Sequence, residues 1–233
     1  MFSYYGSKSK LVNYYPKPIY KKIIEPFAGS ARYSLKYWEN EIVLYDKFQL
    51  IIDVWKYLQC VSKDEILALP ELKKGDNINN FGLTENQKKL MKFCIVQGSA
   101  AGQNTPSSQY YLRGIHRQNI KRIIANIENI KHWMILCDDY KNIPNEEATW
   151  FIDPPYQFGG KYYKESNKNI DFKELAEWCM NRKGQVIVCE NTKADWMDFK
   201  PLKRIQGSRN TNTIEAMWTN IETQTQMKLF DCT

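Results

Sequence analysis

Residues 150–156, Trp-Phe-Ile-Asp-Pro-Pro-Tyr, constrain this chain more than any other stretch. An apolar run of this length predicts a buried strand, and Pro154 ends it because proline brings no amide donor to a sheet. The carboxylate of Asp153, the carbonyls of Asp153 and Pro154 and the ring of Tyr156 are then presented together at the strand's C-terminal edge. Open α/β sheets hold their ligands at that edge. Hydrogen-bond acceptors beside an aromatic face suit a flat ring that carries an amine. The plainer alternative is a Pro-Pro loop stop with a packed tyrosine.

The rest of the chain alternates strand and helix patterns. Strands are expected over residues 23–27, 41–46, 133–139, 148–154 and 185–189, with helices over 31–39, 50–59 and 171–181 between them. That order implies an α/β fold with a doubly wound, mostly parallel sheet. Residues 202–205, 213–219 and 226–230 read as antiparallel strands closing the sheet edge. One α/β domain is thus expected from residues 1–59 and 133–233. Residues 60–132 are too long for a simple connection. With helical patterns at 84–97 and 117–130 around a polar, glycine-containing loop at 98–109, they predict an inserted, mainly helical subdomain.

Composition sets the bounds. A 233-residue chain with 43% hydrophobic and 14% aromatic residues can bury a sizeable core. The net charge of +7 favours an acidic partner. Six cysteines without a Cys-x-x-Cys pair, several inside apolar runs, predict reduced thiols in a cytoplasmic protein. With two histidines in the chain, a histidine-based metal site is not expected. No stretch is long and apolar enough to span a membrane, so no membrane partner is expected.

A second constellation lies upstream. Glu25-Pro26-Phe27-Ala28-Gly29-Ser30 reads as a strand followed by a tight turn into a helix, where Gly29 permits close backbone approach and the helix N-terminus favours an anionic group. Asp46 ends the next strand 17 residues after Gly29, the place where α/β nucleotide sites put an acid on ribose hydroxyls. With Asp153, these residues place three functional groups on one sheet edge.

Asp153-Pro154-Pro155-Tyr156 resembles the catalytic motif of amino-group DNA methyltransferases in its adenine form, and the chain as a whole is most similar to the Dam-like adenine methylases. Tyr4-Tyr5-Gly6-Ser7-Lys8-Ser9-Lys10-Leu11 resembles that group's N-terminal motif, and Asp138-Asp139-Tyr140 its acidic motif. The order of motifs agrees as well, and the resemblance covers nearly all of the chain outside residues 60–132. It implies an S-adenosylmethionine-dependent fold, with Tyr5, Lys8, Glu25, Phe27, Gly29, Ser30, Asp46, Asp139 and Asp153 around the cofactor. Glu25 and Gly29 would lie near the methionine portion, Asp46 on the ribose and Asp139 on the adenine. Asp153, Pro154, Pro155 and Tyr156 would act on a flipped-out adenine. It further implies double-stranded DNA as substrate, residues 60–132 as target-recognition region, and a possible restriction endonuclease partner. The sequence departs from the family at Ser30-Ala31-Arg32, where another glycine is usual, and at Asp46-Lys47-Phe48, which lacks the asparagine often found two positions after the acid.

Arg113, Arg117, Lys121 and Arg122, together with Arg209 in a late polar loop, are the expected DNA contacts. A helical lid with a solvated basic face, and an ordinary hairpin tip at Arg209, Asn210 and Asn212, are the alternatives. Tyr162 and Tyr163 either close over a flipped base or pack on the domain, and Glu190-Asn191-Thr192 stand at the end of a strand near the expected pocket. Competing functions are methylation of cytosine, RNA or a protein amide, and nucleic-acid binding without catalysis.

Overall fold

Short runs of β-branched and aromatic residues flanked by turn signals give this chain its strands, and their alternating burial gives it two packed faces. The structure, a computed structural model, describes residues 1–159, 167–206 and 212–221. Its elements in chain order are β1 (Lys22–Glu25), α1 (Arg32–Lys36), β2 (Glu41–Asp46), α2 (Gln49–Cys60), α3 (Lys63–Leu67), α4 (Glu85–Cys94), α5 (Ser108–Arg113), α6 (Ile115–Asn126), β3 (Met134–Cys137), β4 (Ala148–Ile152), α7 (Phe172–Met180), β5 (Gly184–Asn191), β6 (Lys200–Gln206) and β7 (Asn212–Thr219).

The described strands form one mixed, mostly parallel seven-stranded sheet in the order β3-β2-β1-β4-β5-β7-β6. Strands β1 to β5 run parallel to one another. β7 runs antiparallel to both β5 and β6, so β6 points with the parallel set. The tail was expected as antiparallel strands closing the sheet edge, and β6 and β7 do so. The order there is β5-β7-β6, with Ala216 and Met217 of β7 buried beside β5. Residues 226–230 lie outside the described residues.

One face buries Ile23, Ile42, Leu44, Phe151 and Ile187 under α1, α2 and the helices that follow. Ile24, Val43, Trp150, Val186 and Val188, the alternate positions, pack against Leu175 and Cys179 of α7 on the other face. Helices α3 to α6 share the first cluster with α2 through Ile66, Leu90, Phe93, Tyr110 and Ile123, so their apolar residues and the sheet form one continuous core.

Element ends shift for local reasons. α1 begins only at Arg32, because Ala31 is left-handed at φ 42°. β4 stops at Ile152, ahead of the two prolines. α4 ends at Cys94, where the chain turns so that the Ser107 amide donates to the Ile95 carbonyl at 3.2 Å. Of the described cysteines, Cys94, Cys179 and Cys189 are buried, Cys60 and Cys137 are exposed, and all five are free thiols. No helix among the described residues is long and apolar enough to cross a membrane.

Candidate functional site

The sheet order places β1 beside β4, while β1 leads on to β2 and β3 in one direction and β4 to β5 in the other. Such a reversal opens a crevice at the C-terminal ends of the strands. Glu25 is the last residue of β1, Asp46 the last of β2, and Asp138 and Asp139 follow β3, while Asp153 follows β4. All five acids line one cavity of about 210 Å³, together with Tyr5, Lys8, Phe27, Gly29, Ser30 and Pro155. Every residue that the sequence assigned to the cofactor thus reaches a single crevice.

Hydrogen bonds at both ends hold the glycine turn. The Gly29 amide donates to Asp46 Oδ2 at 3.0 Å, and the Gly29 carbonyl accepts from Trp55 Nε1 at 2.9 Å. Gly29 sits at φ 44°, and a Cβ there would lie 3.1 Å from the Tyr4 ring. The Phe48 amide donates to the other Asp46 oxygen at 2.9 Å, which fixes the carboxylate at the rim. Glu25 accepts from the Ser34 amide at 2.7 Å and the Ser34 hydroxyl at 2.6 Å, satisfying one of the open amides at the start of α1. Burial pushes the Glu25 carboxyl up to about 8, against those two bonds.

Arg32, three residues after Gly29, ties down the N-terminal segment. Its Nε donates to Ser7 Oγ at 3.0 Å and its Nη2 to the Phe2 carbonyl at 3.1 Å, while Ser30 Oγ donates to Ser7 Oγ at 3.1 Å. At the far end of the cavity, Asp139 Oδ2 pairs with Lys47 Nζ at 2.9 Å. Against the cost of partial burial, Lys47 and the Lys141 amide hold Asp139 below the usual carboxylate range. The Phe27 and Tyr140 rings, 5.4 Å apart, supply an apolar wall beside it.

A second cavity, of about 650 Å³, opens on the other side of the N-terminal segment. Residues 4–8 and Arg32 border both cavities, and the second is completed by Gln97, Gln118, Arg122, Tyr156, Phe158, Asn191 and Glu215. Asp153 lines the first cavity and Tyr156 the second, and Lys8, which borders both, touches each of them. Lys8 Nζ lies 2.7 Å from Asp153 Oδ1, donates to the Gly6 carbonyl at 3.1 Å and stands 4.7 Å from the centre of the Tyr156 ring. Burial pushes the Asp153 carboxyl up to about 6, opposed by the Lys8 cation. The carboxylate therefore remains mostly ionised at neutral pH. Pro154 is buried and lines neither cavity, while Pro155 borders the first.

Glu215 escaped the sequence reading, and Glu190 and Arg32 were named there without a role. Glu215 on β7 is 5% exposed, and its Oε1 accepts the hydroxyls of Tyr15, at 2.6 Å, and of Tyr156. The signal was an acid inside the apolar run Ile214-Glu215-Ala216-Met217-Trp218. Glu190, fully buried on β5, accepts from the Gln157 and Asn191 amides and from Trp196 Nε1, so it fixes the chain just beyond Tyr156. Burial pushes its carboxyl up to about 7. Asn191 lines the second cavity and donates from Nδ2 to the Phe158 carbonyl at 3.1 Å. Arg32 is half-buried, and its bonds to Ser7 and Phe2 give it the role of holding the N-terminal segment.

The expected nucleic-acid contacts divide. Arg122 lines the second cavity beside Gln118, one turn earlier on α6. Arg113 is exposed, and its Nη1 donates to Gln97 of that cavity at 3.4 Å. Arg117 is not part of the cavity lining and pairs with Glu71 at 3.1 Å, and Lys121 is exposed on the same helix. The polar loop is anchored where the Tyr5 amide donates to the Ser99 carbonyl at 3.3 Å. Tyr162, Tyr163, Arg209 and Asn210 lie outside the described residues. No family model matches the chain, and no curated protein matches it significantly.

Proposed function

We propose that the protein is an S-adenosylmethionine-dependent methyltransferase of the Dam-like type, acting on the exocyclic amine of a flipped-out adenine in double-stranded DNA. One observation carries this reading: Lys8 joins Asp153, in a crevice rimmed by acids, to Tyr156, in a larger adjoining cavity lined by Arg122 and two glutamines.

The first cavity has a donor set that fits the cofactor. Carboxylates at Asp46 and Asp139 suit a ribose diol and an adenine amine, the Phe27–Tyr140 wall suits the adenine ring, and the glycine turn allows close backbone approach. Glu25, bonded to Ser34, shapes this turn from within. When bound, S-adenosylmethionine supplies an electrophilic sulfonium methyl.

The chain's own work is positioning and electrostatics. Asp153 accepts a hydrogen of the adenine amine, which weakens the conjugation of its lone pair with the ring. The Pro154 carbonyl, on a residue that lines neither cavity before the base enters, takes the second hydrogen once the base is in place. Tyr156 stacks on the base. Flipping costs about a few kcal/mol, and stacking offsets roughly 1–3 kcal/mol of it. Basic side chains, Arg122 first, contact phosphate or base edges along the second cavity. Residues 60–132 serve as the target-recognition region in this reading, and the adenine preference rests on aspartate at position 153.

The test is transfer of a labelled methyl group from S-adenosylmethionine to unmodified genomic DNA, with Asp153→Ala as control. The expected product is N6-methyladenine in a fixed short context, absent with the variant, which still binds cofactor. Cofactor binding without transfer to DNA would overturn the DNA substrate, and undiminished transfer by Asp153→Ala would overturn the catalytic assignment.

A further inference from the structure

Lys8 occupies an unusual position for a cation. Its ammonium hydrogen-bonds Asp153 and lies over the Tyr156 ring, which is where an amine held by Asp153 and stacked on Tyr156 would itself sit. A target base and Lys8 therefore compete for one volume. A second acid stands ready nearby. Glu215 Oε1 is 3.7 Å from Lys8 Nζ, so about 1 Å of movement brings the ammonium into charge-assisted hydrogen-bond range. The same Glu215 oxygen accepts the hydroxyls of Tyr15 and Tyr156. Tyr15 is itself braced edge-on against Phe151 of β4, with ring centres 5.1 Å apart.

We propose that Glu215 is a positioning residue for the target-base slot: it pins the Tyr156 ring through the hydroxyl and becomes the anchor of Lys8 when a base amine takes Asp153. This rests on the function proposed above. The acid keeps Lys8 inside the site throughout, so the cation neither leaves a buried carboxylate unpaired nor blocks the amine. It also gives the stacking ring one fixed plane before the base arrives, which lowers the ordering cost of binding. Because the carboxylate of Glu215 repels that of Asp153 while Lys8 attracts it, the charge on Glu215 is felt at Asp153.

The experiment compares wild type, Glu215→Gln, Lys8→Met and the double variant. Glutamine keeps an oxygen acceptor for both tyrosines and removes the charge offered to Lys8; melting temperatures verify that each variant folds. Readouts are KM for DNA, kcat, cofactor affinity, and titration of the Asp153 carboxyl by carbon-detected NMR. Glu215→Gln is expected to raise KM for DNA about tenfold, the loss of one charge-assisted bond, with kcat and cofactor affinity little changed. It should have no further effect in the Lys8→Met background. The Asp153 titration should move down in Glu215→Gln. Additive effects in the double variant, or an unmoved Asp153 titration, would overturn the proposal. Absence of transfer by the wild type with the titration still displaced would remove the methyltransferase reading and leave the coupling of Glu215, Lys8 and Asp153 standing.

Discussion

Glu25, the last residue of β1, accepts both the backbone amide and the hydroxyl of Ser34, so a carboxyl group on a strand caps the first turn of α1 from below. Ala31 makes no side-chain cap of its own, which leaves this contact to set the angle between strand and helix, and hence the glycine turn between them. Burial raises the Glu25 carboxyl from 4.5 to about 8. The folded state therefore holds this proton more tightly than the unfolded chain. Its contribution to stability is complete below about pH 4.5 and is lost as pH rises to about 8. Asp153 and Glu190, raised to about 6 and about 7, act in the same direction over lower windows. Glu25→Gln keeps an acceptor for Ser34 and cannot titrate. Urea unfolding at a series of pH values should show stability falling between pH 5 and 8 by on the order of a few kcal/mol, with a clearly shallower fall in the variant. An identical slope in both proteins would show that Glu25 is already ionised in the fold.

Ala31 holds a left-handed conformation, φ 42° and ψ 50°, and is the one non-glycine residue with positive φ among those described. A left-handed alanine costs roughly 1–2 kcal/mol against a right-handed one. Replacement by glycine removes that strain, at the expense of one buried methyl and of greater freedom in the unfolded chain. The net expectation is a gain of up to about 1 kcal/mol for Ala31→Gly and a loss of more than about 1 kcal/mol for Ala31→Val. Thermal and denaturant unfolding measure both. A loss on glycine substitution would mean that the methyl packs well enough to outweigh the backbone.

Sequence reasoning reached the acids but not their partners, and the difference has a physical cause. Asp46, Asp139 and Asp153 each follow an apolar strand, so local pattern alone places them at one sheet edge, and the strand order then gathers them. Glu215 and Tyr15 meet Tyr156 only because β7 inserts between β5 and β6, a pairing that no local pattern specifies. Lys8 was legible as a motif residue; its bond to Asp153 was not, because 145 positions separate the two in the chain and the contact depends on Arg32 holding Ser7. The helices of residues 60–132 were legible as amphipathic stripes. Which basic residue faces the second cavity was not, since Arg117 and Arg122 look equivalent until the rotation of α6 is known.

The pairing of Asp153 with Lys8 fixes the sign of a pH effect on activity. A carboxyl raised to about 6 loses its charge as pH falls through that value, and a neutral acid is the poorer acceptor for an amine. In the proposed reaction, kcat/KM should therefore fall below about pH 6. Lys8 opposes the upward shift, so its removal moves the inflection higher. A pH–rate profile of Lys8→Met should show the acid limb displaced toward neutrality, along with a lower plateau. A limb that stays in place would mean that a group other than Asp153 controls it.

Arg122 and Arg117 differ by less than two turns of α6, yet only Arg122 borders the second cavity, while Arg117 is 74% exposed and shares its charge with Glu71 at 3.1 Å. An exposed pair of this kind contributes little to stability, and binding a phosphate through Arg117 would first require breaking it. Each phosphate contact adds about one unit to the salt dependence of DNA binding. Arg122→Ala should therefore weaken binding to a DNA duplex and lower the slope of log affinity against log salt by about 1, whereas Arg117→Ala should leave the slope near the wild-type value. Fluorescence anisotropy over a salt series separates the two. Equal slopes for Arg122→Ala and wild type would move the DNA path off this cavity, and a larger effect from Arg117→Ala would place it on the outer, solvent-facing line of the helix.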